Sequence, residues 1–374
     1  MRWRILFAGL CAVLALAATA GAQVQTQLLA RRRFLPEVGA GVRAIKRDAA
    51  GRYFVLTAPA AAVLIYNAAG QRVGQVPAAA GAAAPVSKEA ALVYGDDLDV
   101  DPTGWIYVAD RGANAVKVFK PDGTLAVTIA IVAPTSVAAL AEGEIAVASM
   151  KSARLVTVFA GPSQEPVNSD GAARASGEKE DAGHGAGRPA TAGQRPGNVP
   201  APGKVVREFG DPTEIAERGE LNRFLNVGRL ANDAGGHLYY AFNYLPEPTV
   251  RKYDRYGYAA LEISLSALEF QPAAQAARRE IERQEKKSGA PTLKPIVTAV
   301  GVDPATQEIW VALGGLLLHF DRAGDRRASY RTFTPEGARL EATAILVEPD
   351  RLLLAADPLG IYEFPRPDKT LRLP

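Results

Sequence analysis

Thiols and histidines are scarce in this sequence. Its 374 residues include one cysteine, Cys11, and three histidines. Cys11 lies within an apolar N-terminal run, so the rest of the chain cannot form disulfides and must be stabilised by packing. His184 falls in a polar low-complexity segment, His237 just after a turn and His319 within a strand, which argues against a three-histidine zinc site.

Neither sign of charge is in large excess, and two catalytic motifs are missing. The net charge is +3, which is too small to indicate binding to nucleic acid. The basic run from Arg31 to Arg33 is local and predicts a solvated strand end. Neither G-x-S-x-G nor G-x-x-x-x-G-K occurs, so the sequence signals neither a serine nucleophile nor a phosphate-binding loop.

The N-terminus has the pattern of a secretory signal peptide. Two arginines precede an apolar run from Ile5 to Ala18, and a triplet of small residues follows it. We therefore expect residues 1–22 to be removed and residues 23–374 to be exported, to the periplasm or beyond the cell. The alternative is a retained membrane anchor, for which the apolar run is short.

Turn signals recur along the chain. Residues 51–70 and 104–123 align without a gap, glycine to glycine, and in each case an aspartate stands three residues ahead of the first glycine. Asp accepts hydrogen bonds from the backbone two residues on, and Gly tolerates positive φ, so the pair favours a tight turn between strands. The turn residues predicted in this way are Asp48, Gly51, Asp101, Gly104, Asp122, Gly123, Asp233 and Gly236.

The repeat occurs six times and predicts an all-β fold. Each copy has the pattern of four short strands, too small a unit to bury its apolar faces unless neighbours stack on it. We predict a single six-bladed β-propeller of four-stranded antiparallel blades over residues 23–374. One aromatic closes the third strand of each copy, namely Tyr66, Phe119, Phe159, Tyr253, Phe320 and Phe364. The expected blades are about 43–80, 94–131, 133–210, 221–267, 292–340 and 342–373.

The second copy, DPTGWIYVADRGANAVKVFKPDG, resembles an NHL repeat. NHL repeats form six-bladed propellers in exported and cytoplasmic proteins, so the resemblance implies the same fold here. The other copies match less well, because the position of Asp110 is occupied by Thr57 in the first copy and Leu313 in the fifth. The residues that carry the resemblance are Asp101, Gly104, Tyr107, Val108, Asp110, Asn114, Val116, Phe119, Asp122 and Gly123.

Two insertions interrupt the repeats. Residues 161–202 are rich in Gly, Ala, Pro and charge, which predicts a disordered loop between the outer strands of blade three, with a partner-binding tether as the alternative. Residues 272–288 are rich in Ala, Arg and Glu, begin with proline and end before Gly289, which predicts a helix. Its apolar stripe is thin, which favours an exposed helix over a docking helix.

Acidic residues alternate along the first strand of blade two. Asp97, Asp99 and Asp101 share one strand face, and carboxylates suit Ca²⁺ or Mg²⁺. The sister strands place Lys46, Ala, Gly or Leu at the position of Asp99, so no ring of carboxylates converges on the channel. We predict an ion pair between Lys46 and Asp99 and no cofactor, with Ca²⁺ on Asp97 and Asp99 as the alternative.

Two connectors near blade four supply candidates for an interaction surface. Asn222, Arg223 and Asn226 are expected to be exposed on the polar connector that precedes the blade. Tyr244 lies in a loop that is two residues longer than its counterparts, and Tyr and Arg are favoured at interfaces. The candidate surface residues are Tyr244, Arg223, Asn222, Lys46 and Arg229.

These patterns favour a non-enzymatic binding module. We expect a monomeric, exported propeller that offers one face or its channel mouth to a protein or a cell-envelope glycan. The alternative is a metal-dependent hydrolase or lyase similar to lactonases, for which Asp97 and Asp99 are the candidate ligands. The sequence leaves two segments able to supply the outer strand of blade six, residues 369–373 and residues 26–34.

Overall fold

The computed structural model describes residues 26–58, 61–78, 86–162, 201–265 and 270–370. Their strands form six sheets, antiparallel except for one parallel pair, and the innermost strands contact one another in cyclic order until the last returns to the first. The predicted six-bladed β-propeller is therefore confirmed. The expected signal peptide and most of the expected disordered loop, residues 163–200, lie outside the described residues.

The strands of each blade run from the axis outward in chain order. Blades one to three comprise β3 (Val42–Arg47), β4 (Tyr53–Thr57), β5 (Ala62–Tyr66), β6 (Arg72–Val76); β7 (Gly95–Val100), β8 (Ile106–Asp110), β9 (Ala115–Phe119), β10 (Leu125–Ala130); and β11 (Pro134–Ala139), β12 (Glu144–Ser149), β13 (Val156–Ala160), β14 (Val205–Phe209). Blades four to six comprise β15 (Gly228–Asn232), β16 (Leu238–Phe242), β17 (Thr249–Tyr253), β18 (Ala259–Ser264); β19 (Ala299–Val302), β20 (Ile309–Leu313), β21 (Leu316–Phe320), β22 (Arg326–Phe333); and β23 (Ala344–Val347), β24 (Arg351–Ala356), β25 (Gly360–Pro365).

The N-terminal strands complete the last two blades. β2 (Arg32–Phe34) pairs antiparallel with β25 and is the fourth strand of blade six. β1 (Thr26–Leu29) pairs parallel with β22 and adds a fifth strand to blade five. The end of the chain does not supply the outer strand from residues 367–370, which form the short helix α3 (Pro367–Thr370). The ring is thus clasped by strands from opposite ends of the described chain.

The core lies between blades. The first three strands of the blades are mostly buried on both faces, which explains the long apolar runs in the sequence. The aromatic residues that end the third strands are all buried, and Tyr66, Phe119 and Phe364 are fully so. Within blade two, the fourth strand, β10, alternates between exposed and half-buried residues as far as Ile129, because one of its faces meets solvent.

Aspartate and glycine close the turn at the start of β8. Asp101 Oδ1 accepts the backbone N–H of Trp105 at 3.0 Å, and Tyr107 Oη donates to Asp101 Oδ2 at 2.9 Å. Blade four repeats the arrangement, since Tyr239 Oη donates to Asp233 Oδ2 at 2.8 Å. In the equivalent turn of blade one, the Arg52 backbone N–H donates to a carboxylate oxygen of Asp48. Gly51, Gly104, Gly123, Gly203 and Gly236 adopt φ of 81°, 90°, 83°, 81° and 80°, the region that glycine tolerates best.

Two helices cover one end of the ring. The predicted helical insertion is present as α2 (Gln271–Glu285), and α1 (Gly219–Leu225) precedes blade four. Ile281 of α2 belongs to the same core cluster as Leu221 and Leu225 of α1. Glu285 Oε1 accepts the Arg218 backbone N–H at 2.7 Å at the start of α1. No helix in the described ranges is long and apolar enough to cross a membrane.

We call the end of the ring that carries these helices the upper face. It also carries the starts of the innermost strands and the loops between the second and third strands of each blade.

Candidate functional site

The wall of the central channel is polar where blades one to four contribute to it. Lys46 Nζ of blade one lies 3.1 Å from Asp99 Oδ1 of blade two, which confirms the predicted ion pair. Asp99 Oδ2 accepts the Ala139 backbone N–H of blade three at 2.8 Å. Burial opposes the charge on Lys46, but attraction by Asp99 and then Asp97 outweighs it, and the pKa of Lys46 is raised. Lys46 therefore stays charged at neutral pH.

Asp97 makes a second connection between blades. Its Oδ2 accepts the hydroxyl of Ser136 in blade three, and Ser136 Oγ accepts the Leu230 backbone N–H of blade four at 2.9 Å. The innermost strand of a blade has a free edge, whose N–H groups need partners. Asp97, Asp99 and Ser136 supply these partners to the next blade, which gives the alternating acids a structural role.

Arg229 of blade four closes this network at the upper end of the channel. Its Nη1 donates to the Asp96 carbonyl oxygen at 3.0 Å and lies 3.8 Å from Asp97 Oδ1. Burial raises the pKa of Asp97, although Arg229, Lys46 and Ser136 act in the opposite direction. Asn232, lower in the same strand, donates to the Ala139 carbonyl oxygen at 2.5 Å.

The channel wall is apolar on blades five and six and leaves little space. A Cβ on Gly301 would lie 2.6 Å from Ile345 Cγ2 of the next blade, so only glycine allows this approach. The cavity along the axis has a volume of about 80 Å³, room for a few water molecules. The channel is too narrow to hold a ligand of drug size along its length.

The carboxylate oxygens of the channel already have partners within the protein. Lys46, Ser136 and backbone N–H groups already contact the oxygens of Asp97 and Asp99. Among the residues that the structure describes, no group of three or more His, Cys, Asp or Glu side chains is placed to hold a metal ion.

Above the channel, the upper face opens into a concave chamber of about 350 Å³, which we call the mouth chamber. Every blade except blade five contributes a loop between its second and third strands or the start of its innermost strand, and blade five contributes the approach to β19. The polar residues that line it are Arg43, Asp96, Arg111, Thr135, Arg229, Asn243, Tyr244, Thr298, Thr343 and Asp357.

Arg43 and Arg111 flank the same tyrosine. Arg43 Nη2 donates to Tyr94 Oη at 2.7 Å, and both guanidinium groups lie over the Tyr94 ring, at 5.3 and 4.8 Å from its centroid. Arg111 Nε forms an ion pair with Asp96 Oδ2 at 2.7 Å. Burial raises the pKa of Asp96, which Arg111, Arg229 and Arg43 oppose.

Two polar atoms in the wall of the mouth chamber lack partners among the described residues. Arg43 Nε is buried and donates no hydrogen bond to a described residue, and Asn243 Oδ1 is buried and accepts none from one. In the same part of the chain, no carboxylate forms an ion pair with Arg43. Buried polar groups are normally satisfied, and an unpaired guanidinium N–H and an unpaired side-chain carbonyl oxygen on residues that line one chamber point to a ligand or ordered water. The chamber can thus donate to an anion and accept from a hydroxyl.

Tyr244 stands at the edge of the mouth chamber. Its ring lies 4.5 Å, centroid to centroid, from that of Phe224 in α1. Burial raises the pKa of Tyr244, although Arg229 and Arg111 oppose the shift, so its hydroxyl keeps its proton at neutral pH. The neighbouring residue, Asn243, holds the segment before β19, because its backbone carbonyl oxygen accepts the Ile296 backbone N–H at 2.7 Å.

The expected exposure of the polar connector is wrong for two of its three residues. Asn226 is buried and its side-chain amide bridges both backbone groups of Thr213. Asn222 is half-buried and not fully exposed, because its Oδ1 accepts the Ile215 backbone N–H at 2.8 Å and so holds the connector. Arg223 is exposed and does not line the mouth chamber.

Of the candidate surface residues, Tyr244 and Arg229 therefore meet at the mouth chamber. Lys46 lies deeper, on the channel wall. The contributions of Arg43, Arg111 and Asn243 were not anticipated. Asn243 was within reach of sequence reasoning, because it belongs to the lengthened loop that singled out Tyr244.

Comparison with known proteins places the chain by fold alone. No family model matches it, and no curated protein matches it. Virginiamycin B lyase from Staphylococcus aureus is similar at 11% identity, over 88% of this chain and 85% of the lyase, with a TM-score of 0.47. The WD40 repeats of RRP9 are similar at 8% identity, over 91% and 99% of the two chains, with a TM-score of 0.50.

Hydrazine synthase from Kuenenia stuttgartiensis is similar at 10% identity, over 93% of this chain and 99% of that one, with a TM-score of 0.47. At these identities the similarity concerns the fold alone, and the ligand must be argued from the residues of this chain.

Proposed function

We propose that this protein is a non-enzymatic binding module whose ligand site is the mouth chamber, and that the ligand presents an anionic group to Arg43. The observation that carries the proposal is the Arg43 guanidinium, which lines a concave chamber with a buried, unpartnered Nε and no ion pair among the described residues.

The surroundings of Arg43 support an anion with hydroxyl neighbours. Tyr94 holds one end of the guanidinium, which leaves Nε and the second terminal nitrogen as donors. A planar guanidinium binds carboxylate or phosphate in two-point geometry. Asn243 Oδ1 of blade four and the exposed Asp357 of blade six, which line the same chamber, offer acceptors for ligand hydroxyls.

A small or cell-envelope ligand suits this site better than a protein partner does. The site is a concavity framed by loops from most of the ring, and such concavities bury small ligands on many sides. We propose further that the blades are NHL-like, that the chain acts as a monomer and that it works after export, in the periplasm or outside the cell. N-terminal sequencing of the protein recovered from the cell envelope tests export, with Gln23 as the expected first residue.

Calorimetric titration of the full chain with small acids tests the binding site. The probes are acetate, inorganic phosphate and glucuronate, with glucose as the neutral counterpart of glucuronate, at constant ionic strength. We expect the acids to bind and Arg43→Gln to weaken them about tenfold, because one charge-assisted contact is lost. Arg223→Gln, an exposed arginine outside the chamber, is the matched control and should bind as the parent does.

The proposal fails if Arg43→Gln and Arg223→Gln bind the acids alike. It also fails if the protein turns over any of the probes, since the site would then be catalytic.

A further inference from the structure

A second and larger concavity adjoins the mouth chamber on the upper face. It has a volume of about 1090 Å³ and lies between α2, the segment 292–296 and the loop between β20 and β21. We call it the helix groove. Tyr244 and Pro295 line both the mouth chamber and the helix groove, so the two spaces adjoin at these residues.

The helix groove differs from the mouth chamber in chemistry. Its floor is apolar and includes the alanines on one side of α2. The apolar residues that line it are Phe270, Ala273, Ala276, Ala277, Leu293, Pro295, Ile296, Leu313 and Leu316. Small side chains on the helix keep the groove open, since larger ones at Ala276 or Ala277 would fill it.

The rim of the helix groove is basic. Arg279, Arg283, Lys294 and Arg339 line it, against one acid, Glu280, which forms an ion pair with Arg283. Exposed arginine and lysine on the rim favour an anionic ligand at long range. The apolar floor, meanwhile, gains free energy by burying hydrocarbon.

We propose that the ligand is an anionic amphiphile, with its carboxylate or phosphate on Arg43 in the mouth chamber and its apolar body past Tyr244 in the helix groove. This inference rests on the proposed function and adds the second half of the ligand. The charge of the mouth and rim fits the head group, and the adjoining apolar groove fits a chain or ring system. A phospholipid head and a free acyl acid share this chemistry.

Titration of the full chain with octanoate, octyl phosphate, octan-1-ol and acetate tests the inference and separates the two head groups. Burying several methylenes should make octanoate bind roughly a hundredfold more tightly than acetate. Loss of the anion should weaken octan-1-ol about tenfold relative to octanoate. The tighter of octanoate and octyl phosphate identifies the head group that the site prefers.

Two variants locate the two halves of the ligand. Arg43→Gln should weaken octanoate about tenfold and leave octan-1-ol unchanged. Ala276→Trp, which fills the helix groove from the exposed side of α2, should weaken octanoate and leave acetate unchanged. Gln275→Trp, its exposed neighbour outside the groove, is the control. If Ala276→Trp does not fold, Ala273→Trp, one turn earlier, fills the same groove.

The outcomes distinguish the two proposals. If octanoate binds no better than acetate, or if neither groove variant weakens it, the amphiphile inference is overturned. The binding of acetate through Arg43 would then still support the proposed function. If Arg43→Gln changes nothing for any anion, both proposals fail. If a glutamate-rich peptide binds the chain and octanoate does not compete with it, the groove serves an acidic peptide and the inference is again overturned.

Discussion

Lys46 Nζ lies 3.1 Å from Asp99 Oδ1, and this ion pair joins blade one to blade two on the channel wall. Asp99 also accepts a backbone N–H of blade three, so one carboxylate ties three consecutive blades. A propeller depends on contacts between neighbouring blades, because each blade alone is too small to be stable. The aspartates of residues 97–101 therefore help to hold neighbouring blades together.

The Lys46–Asp99 pair should show strong coupling. Lys46→Met leaves the buried Asp99 with one hydrogen-bond donor from the backbone, and we expect it to lower the free energy of unfolding by about 2 kcal/mol, since Lys46 is partly solvated. Asp99→Asn should cost about as much, and the double variant less than the sum of the two. Urea denaturation of the four proteins measures the coupling.

Additive losses in this cycle would show that the two side chains do not depend on each other. Elemental analysis of the dialysed parent protein is the companion measurement. Stoichiometric Ca²⁺ that disappears in Asp99→Asn would assign the carboxylate to a metal and contradict the structural role.

The N-terminal clasp should be essential for stability. Phe34 is buried and its ring lies 5.0 Å from that of Tyr53 in blade one, so it seals the junction between the last and first blades. Phe34→Ala should lower the free energy of unfolding by about 3–5 kcal/mol. Leu29→Ala, at an exposed position of β1, should change it by less than about 0.5 kcal/mol.

Thermal and urea unfolding of both variants test the clasp. Equal effects of Phe34→Ala and Leu29→Ala would indicate that the N-terminal strands contribute little to closing the ring.

A buried arginine organises the lower side of the junction between blades five and six. Arg366 is 1% exposed and forms ion pairs with Asp303, Glu308 and Asp368. Burial alone would raise the pKa of Asp303 and of Asp368, but the hydrogen bonds from Arg366 outweigh it, and both pKa values are lowered. These carboxylates are therefore more acidic in the folded protein than in the unfolded chain.

The lowered pKa values of Asp303 and Asp368 determine how stability depends on pH. A lowered pKa contributes stability that is present above the ordinary value of 3.8 and is lost as the pH falls through the folded value. Arg366→Met should cost about 3–5 kcal/mol at neutral pH, because three acids lose their cation. The cost should shrink below pH 4, where the acids of the variant are protonated. Urea unfolding from pH 3 to pH 8 measures it, and a cost independent of pH would contradict this account.

The turn aspartates of blades two and four should depend to different degrees on their tyrosines. Tyr107 and Tyr239 each donate a hydrogen bond to the aspartate six residues earlier. Tyr107→Phe should lower the free energy of unfolding by about 1–2 kcal/mol, since it leaves Asp101 Oδ2 without a donor. Tyr239→Phe should lower it by less, because His237 Nδ1 lies 3.0 Å from the same oxygen of Asp233. Tyr256→Phe, at an exposed tyrosine, is the control. Equal losses in the two buried variants would contradict the role given to His237.

The fold was predictable because the repeat encodes turns and buried strands that depend on local sequence. Asp101 and Gly104 specify a turn by their own chemistry. The choice between residues 26–34 and 369–373 for the outer strand of blade six was not predictable, because both can pair with β25. The structure selects β2, whose Arg32 also forms an ion pair with Glu363 at 2.9 Å.

The mouth chamber was only partly predictable, because it is assembled from loops that differ between blades. The alignment that pairs Lys46 with Asp99 also pairs Arg43 with Asp96, three residues earlier in each strand. The alignment therefore contained Arg43 and Asp96 of the mouth chamber, but it did not show that Arg43 would form no ion pair among the described residues. The prediction for the polar connector was wrong for a physical reason. The side chains of Asn222 and Asn226 form hydrogen bonds with the backbone of the connector itself and are therefore less exposed than their polarity suggests.

The crystal structure of the full chain with octyl phosphate tests the central claim most directly. The account predicts the phosphate within hydrogen-bond distance of the Arg43 guanidinium, with the octyl chain running past Tyr244 into the helix groove. A phosphate bound elsewhere, or a mouth chamber without ligand at a saturating concentration of octyl phosphate, would contradict it.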